Sequence, residues 1–116
     1  MTIACYIAIG YGETQGVGHK VKTVDQVSRS ASPLGSSKNV SDTTPSWFKK
    51  GVEAALLAPT AVNQQKFSFE YVGMKDGHHQ VSAKKGFSMI GYTKIDLGIA
   101  KCHFEVGAGQ ENFVWV

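Results

Sequence analysis

The residues best equipped for recognition chemistry are the adjacent carboxamides Asn63, Gln64 and Gln65, which follow Ala58-Pro59-Thr60-Ala61-Val62 and precede Lys66. A carboxamide both donates and accepts hydrogen bonds, so such a cluster can match a planar ligand edge on which carbonyl oxygens alternate with N–H groups. Pro59 stiffens the loop that carries them. The pyrimidine edge of an isoalloxazine ring has this alternation, and flavin recognition therefore suits the cluster. Taken alone, an Asn/Gln-bearing loop after a helix serves equally well as a simple helix stop.

A second candidate is basic. Gly10, Tyr11, Gly12, Gly16 and Gly18 form a glycine-rich loop that ends in His19, Lys20, Val21 and Lys22, a place where an anion could be contacted. Lysine holds phosphate as a point charge and not through a bidentate fork, so plain solvation accounts for these lysines as well. Other motifs carry little. Gly10-x-Gly12 has Gln15 where a dinucleotide fingerprint needs glycine. Ser46 and Lys49 match Ser-x-x-Lys without the companion penicillin-recognising motifs. His78 and His79 have no cysteine or carboxylate at metal-ligand spacing and read as a solvated turn, so no metal is expected.

Several elements must position these groups. Thr2 to Ile9 is a nearly unbroken apolar run that reads as a strand buried on both faces. Ser28 to Thr44 is crowded with serines, Pro33, Gly35 and Asn39, which predicts an exposed connection preceded by a short helical turn near Asp25. Thr44 can cap a helix with Pro45 in its first turn, Phe48, Val52, Ala55 and Leu56 recur at helical spacing, and Pro59 stops it. Phe67–Val72 and Gln80–Ala83 predict a hairpin through Asp76 and Gly77. Ile95, Ile99, Cys102 and Val106 mark a second helix broken by Gly107 and Gly109, and Phe113–Val116 predicts a last strand. The chain thus divides into a strand with its glycine-rich loop (1–27), a serine-rich connection (28–44) and a helix, hairpin, helix and strand (45–116).

Length and composition bound the whole. The chain has 116 residues, enough for one domain or part of one, and is 42% hydrophobic and 18% charged, an ordinary globular balance. Its formal charge of +3 comes from scattered lysines and the single Arg29, which predicts a solvated surface and no nucleic-acid partner. Cys5 and Cys102 are too few for a disulfide framework and read as small buried hydrophobes. The apolar run Ile3–Ile9 lacks a basic leader and is far shorter than the roughly 20 residues that span a bilayer, so a cytoplasmic protein without a membrane partner is expected.

Ala58-Pro59-Thr60-Ala61-Val62-Asn63-Gln64-Gln65 is similar to the Ala-Pro-Ser/Thr-Ala-x-Asn-x-Gln motif of the nitroreductase superfamily. Asp96-Leu97-Gly98-Ile99-Ala100 followed by His103, together with Gly10-Tyr11-Gly12 and Lys20-Val21-Lys22, resembles the putative-nitroreductase branch in order and spacing. The likeness covers nearly all of the chain except the serine-rich connection. It implies an α+β fold, a mixed or antiparallel sheet packed with two main helices, and FMN reduced by NAD(P)H to serve small nitro or quinone-like acceptors. Carried over by residue, Asn63 and Gln65 would contact the flavin ring from the loop framed by Pro59 and Thr60, and Lys20 and Lys22 would approach the phosphate. Lys66 stands where many relatives have proline and would place a cation near the flavin N1–O2 edge. His103 matches the family pattern but is read as a structural histidine, so no catalytic residue is assigned. Relatives also carry an N-terminal arginine-rich segment and a glycine-bearing strand-and-helix unit without counterpart here. The resemblance is therefore to a C-terminal portion, completed by a homodimer or a complementing chain. A non-catalytic α+β interaction module derived from the family is the alternative.

Overall fold

The computed structural model describes residues 2–3, 6–31 and 44–116. In chain order its elements are α1 (Val24–Val27), β1 (Ser28–Ser30), α2 (Ser46–Leu56), β2 (Phe67–Lys75), β3 (His78–Lys85), α3 (Thr93–Ala108) and β4 (Val114–Trp115). The sheet runs β1-β2-β3-β4, with β2 antiparallel to β3 and both outer pairs parallel. The fold is α+β, with a mixed sheet against which α2 and α3 pack.

The β2–β3 hairpin forms where expected and extends further. Asp76 (φ 52) and Gly77 (φ 78) supply the two left-handed positions of a tight two-residue turn whose twist matches the strands. One face of the hairpin carries Phe67, Phe69 and Val81 into the core, as alternation along a strand requires. Beyond Tyr71 the register shifts, and Gly73 pairs with Gln80.

Helix α2 buries Phe48, Val52, Ala55 and Leu56 on one stripe and exposes Lys49, Lys50 and Glu53 on the other. It ends as the N–H groups of Leu57 and Ala58 turn back to the carbonyls of Ala54 and Ala55, two residues short of Pro59. Helix α3 crosses it at very close range. A Cβ built on Gly107 would sit 2.5 Å from the Ala54 Cβ and 2.8 Å from the Lys50 carbonyl oxygen, so only glycine permits this approach. Gly51 makes the reciprocal space for Phe104 and Ala108. Phe104 stacks on Phe69 at 4.7 Å between ring centroids and meets Phe48 edge-on at 5.6 Å, which ties both helices to the sheet. Each such aromatic pair adds about 0.5–1.5 kcal/mol beyond its buried area.

At the far end of the sheet, Trp115 on β4 donates from Nε1 to Glu105 Oε1 at 2.7 Å and lies under the Lys101 ammonium, 4.4 Å from the ring centroid. The Trp115 hydrogen bond, then that from Gln110, holds the Glu105 carboxyl below its ordinary value. Burial opposes them, and Lys101 adds to them.

Five expectations are corrected. Of Thr2–Ile9, the described residues 2–3 and 6–9 pair with no strand and face solvent, Ile9 being 96% exposed. The four sheet positions are filled by other segments, and apolar character alone draws a run into a sheet only where a partner backbone is free. Ser28–Ser30 is not connection but strand β1, its serines buried because the β2 backbone and the Val24 carbonyl satisfy their polar groups. Helix α3 continues through Gly107, and it faces the core with Asp96, Ala100, Phe104 and Ala108. Ile95, Cys102 and Val106 point outward, and Ile99 is half-buried. Cys102 is accordingly exposed, not a buried hydrophobe, whereas Cys5 lies outside the described residues. His79 belongs to β3 rather than to a solvated turn: its Nδ1 is hydrogen-bonded to the Tyr71 hydroxyl at 2.8 Å and its ring meets Trp47 at 5.4 Å. Most of the serine-rich connection, residues 32–43, lies outside the described residues.

Candidate functional site

The loop between α2 and β2 is built on uncommon backbone. Val62 (φ 46), Asn63 (φ 54) and Gln65 (φ 46) all occupy the left-handed region, which costs a non-glycine residue about 1–3 kcal/mol unless its surroundings impose it. The imposing contacts come from within the loop and from two sides. Inside it, the Thr60 hydroxyl accepts the Gln65 N–H at 3.0 Å. From α3, the buried Asp96 carboxylate accepts the Ala61 N–H at 3.0 Å and a Gln64 Nε2 hydrogen at 2.6 Å. Gln64 Nε2 also donates to the Gly91 carbonyl at 3.0 Å. Asp96 thereby anchors the loop to the first turn of α3.

The second side is the segment His19–Lys22, which lies across the loop. Asn63 Nδ2 donates to the Lys20 carbonyl at 2.9 Å, and Gln65 Nε2 donates to that carbonyl at 2.7 Å and to Asn63 Oδ1 at 2.8 Å. Gln65 Oε1 accepts the Lys22 N–H at 2.9 Å, while the Lys22 ammonium donates to the Gln65 carbonyl at 2.9 Å. His19 Nε2 donates to the Leu56 carbonyl at 3.3 Å. Lys20, Lys22, Thr60, Asn63 and Gln65 are therefore brought together from two segments about 40 residues apart in the chain, with Pro59 exposed at the loop entrance.

Charge collects at the same place. Burial lowers the Lys22 pKa, and the charge of Lys66 lowers it further. Two ammonium groups near enough to repel form a natural seat for an anion, which would relieve that repulsion. His103 lies apart: it is seven residues beyond Asp96 on α3, about 10 Å along the helix axis. At the other end of α3 a groove of about 360 Å³ is lined by Cys102, Glu105, Val106, Gln110 and Glu111. Its two carboxylates disfavour a phosphate-bearing ligand.

Against the chemistry of FMN, the donor set matches in kind. Asn63 remains exposed, the lysines offer cations for a phosphate, and Gln64 Oε1 is a buried acceptor without a donor among the described residues. Gln65 is different, being 3% exposed with both of its Nε2 hydrogens and its Oε1 already engaged. In this arrangement it orders the loop and the 19–22 segment. Gln64 and Asp96 stood in the motifs read from the sequence, but their supporting role, one bound to the other, was not read there. An acidic residue in the first turn of a helix, downstream of a carboxamide cluster, was the available signal.

A family model described as "Putative TM nitroreductase" matches residues 1–108. The chain belongs to this nitroreductase family. Neither the curated proteins nor the solved structures include a match. Within this nitroreductase-family chain, the matched span contains the glycine-rich loop, the carboxamide loop, Lys66 and all of α3. Family membership points to an oxidoreductase, and the family generally uses flavin. Among the described residues no group of His, Cys, Asp and Glu could hold a metal ion, and no helix is long and apolar enough to cross a membrane.

Proposed function

We propose that the chain works as an FMN-dependent NAD(P)H oxidoreductase of nitroreductase type, acting on nitro or quinone-like acceptors in the cytoplasm. The observation that carries this reading is the convergence of the Lys22 ammonium, the Lys66 charge and the Lys20 backbone carbonyl on the carboxamide loop of a nitroreductase-family chain. Bound FMN would supply the hydride chemistry between NAD(P)H and the acceptor.

The protein's part is to bind and orient. Lys22, with Lys66 beside it and Lys20 two residues upstream, supplies positive charge for the phosphate or for the electron-rich edge of the ring, where stabilisation of negative charge is worth most. Asn63 supplies the exposed carboxamide, and Thr60, Gln65 and Asp96 hold the strained backbone on which Asn63 stands. A homodimer, or a complementing chain, completes the site in this reading.

An absorbance spectrum and FMN titration of the purified chain, with its mass taken by light scattering, is the test. Stoichiometric FMN in a dimer supports the proposal, and Asn63→Ala then weakens binding while leaving the fold intact. Absence of binding at high micromolar FMN overturns it. A non-catalytic module is the second reading, favoured by one observation: the Gln65 carboxamide is wholly taken up inside the protein. A colourless monomer is its expected result.

A further inference from the structure

We propose that His19–Lys22 is an autoinhibitory strap that occupies the ligand-facing groups of the carboxamide loop and must lift for flavin to bind. The inference rests on the FMN reading above and adds regulation of that site.

The strap imitates the ligand. Along it, the Lys20 carbonyl accepts from both Asn63 and Gln65, and the Lys22 N–H donates to Gln65 Oε1. The two groups sit on successive peptide planes joined at the Val21 Cα, and an acceptor followed by a donor is also the order in which the pyrimidine edge of a flavin presents its groups. One set of carboxamide atoms cannot serve both at once. The Lys22 ammonium is likewise held inward on the Gln65 carbonyl, which turns one of its donors away from an incoming phosphate.

The geometry also allows release from one end. Downstream, the strap runs into α1 and β1, and the buried Val27, Ser28 and Ser30 fix it to the sheet. Upstream, residues 10–18 are all exposed, and a Cβ on Gly16 or Gly18 would meet nothing within 4 Å. Among the described residues, the hold at the upstream end is the long bond from His19 to the Leu56 carbonyl. Lifting from His19 would break the hydrogen bonds of His19, Lys20 and Lys22 one after another and leave the sheet intact, whereas peeling from Val24 would dismantle the sheet edge.

The test uses the full chain and FMN itself as probe, with binding read by quenching of flavin fluorescence and strap closure by hydrogen exchange at the Lys22 amide. In the double variant His19→Ala, Val21→Gly, the upstream bond is lost and the open strap gains backbone freedom, while every proposed flavin contact is kept. The variant is expected to bind FMN about tenfold more tightly than wild type, with faster Lys22 exchange before FMN is added. In wild type, FMN should speed Lys22 exchange. Equal or weaker binding by a variant that melts cooperatively, or slower Lys22 exchange on adding FMN to wild type, overturns the strap and leaves the flavin reading standing. If neither protein binds FMN, the flavin reading falls and the strap falls with it.

Discussion

Helix α3 contains two glycines whose replacement by alanine should act in opposite directions. At Gly107 an added Cβ would approach the Ala54 Cβ to 2.5 Å and the Lys50 carbonyl oxygen to 2.8 Å, whereas at Gly98 it would meet nothing within 4 Å. Carbon atoms pack best about 3.5–4.0 Å apart, so Gly107→Ala must push α2 and α3 apart by about 1 Å locally. Overpacking of this kind costs about 1–3 kcal/mol. Both substitutions gain helix propensity, at most about 1 kcal/mol each, with Gly107 gaining less because it lies one residue from the helix end. The propensity gain largely cancels when the variants are compared with each other, and the difference measures the steric conflict. Gly98→Ala should be stabilised by up to about 1 kcal/mol, and Gly107→Ala should lie about 1–3 kcal/mol below it. In a domain of this size each kcal/mol is worth roughly 3–6 °C, so the melting temperatures should differ by at least about 3 °C. Urea denaturation followed by far-ultraviolet circular dichroism checks the same gap at constant temperature. A Gly107→Ala protein as stable as Gly98→Ala would refute the close helix crossing, and with it the placement of Asp96 against the loop.

Three further outcomes follow from other contacts. Asp96→Ala removes the acceptor for the Ala61 N–H and for Gln64, so stability should fall by about 1–3 kcal/mol and FMN titration should show weaker binding. Unchanged affinity would show that the loop holds its shape without α3. Phe104→Ala empties the contact between both helices and the sheet and should cost about 3–5 kcal/mol in chemical denaturation. Because the folded Glu105 carboxyl titrates below its ordinary 4.5, its stabilising contribution is complete above that pH and fades as pH falls through the lowered value. Tryptophan fluorescence melts between pH 3 and 6 should show this loss as a small one, about 1 kcal/mol or less for a partly exposed group, and Glu105→Gln should flatten that part of the profile.

What could be read before the structure was what local chemistry decides. Asp76-Gly77 announces its turn because both positions need positive φ, and Phe48, Val52, Ala55 and Leu56 announce α2 because they recur along one stripe that the fold buries. Family membership was legible in the Ala58–Gln65 motif for a related reason: its residues are contiguous. Decisions made at a distance were harder. Ile95, Ile99, Cys102 and Val106 have helical spacing, yet α3 turns Phe104 inward because Gly51 and Phe69 make a place for an aromatic ring. Thr2–Ile9 has the composition of a strand, but pairing depends on which backbone is free elsewhere. Ser28–Ser30 lacks that composition and pairs nonetheless, since the ladder uses backbone groups alone. At the site, carboxamides and lysines were visible as types, while their hydrogen bonds to one another, across 43 and 45 positions of chain, were not.

Those long spans have a consequence for the order in which the protein assembles. The β2–β3 hairpin closes around a two-residue turn, whereas β1 finds its partner only when Ser28 meets Phe69. Loop closure becomes entropically harder with length, so local pairing precedes distant pairing, and the strap's contacts belong to the last stage. During synthesis the strap leaves the ribosome before the loop that receives it and remains uncommitted until Gln65 has followed. In the finished protein the reverse holds: the contacts formed last are among the first to open in partial unfolding. The chain would then sample ligand-accessible forms by ordinary thermal fluctuation, with the hairpin and its aromatic core left undisturbed.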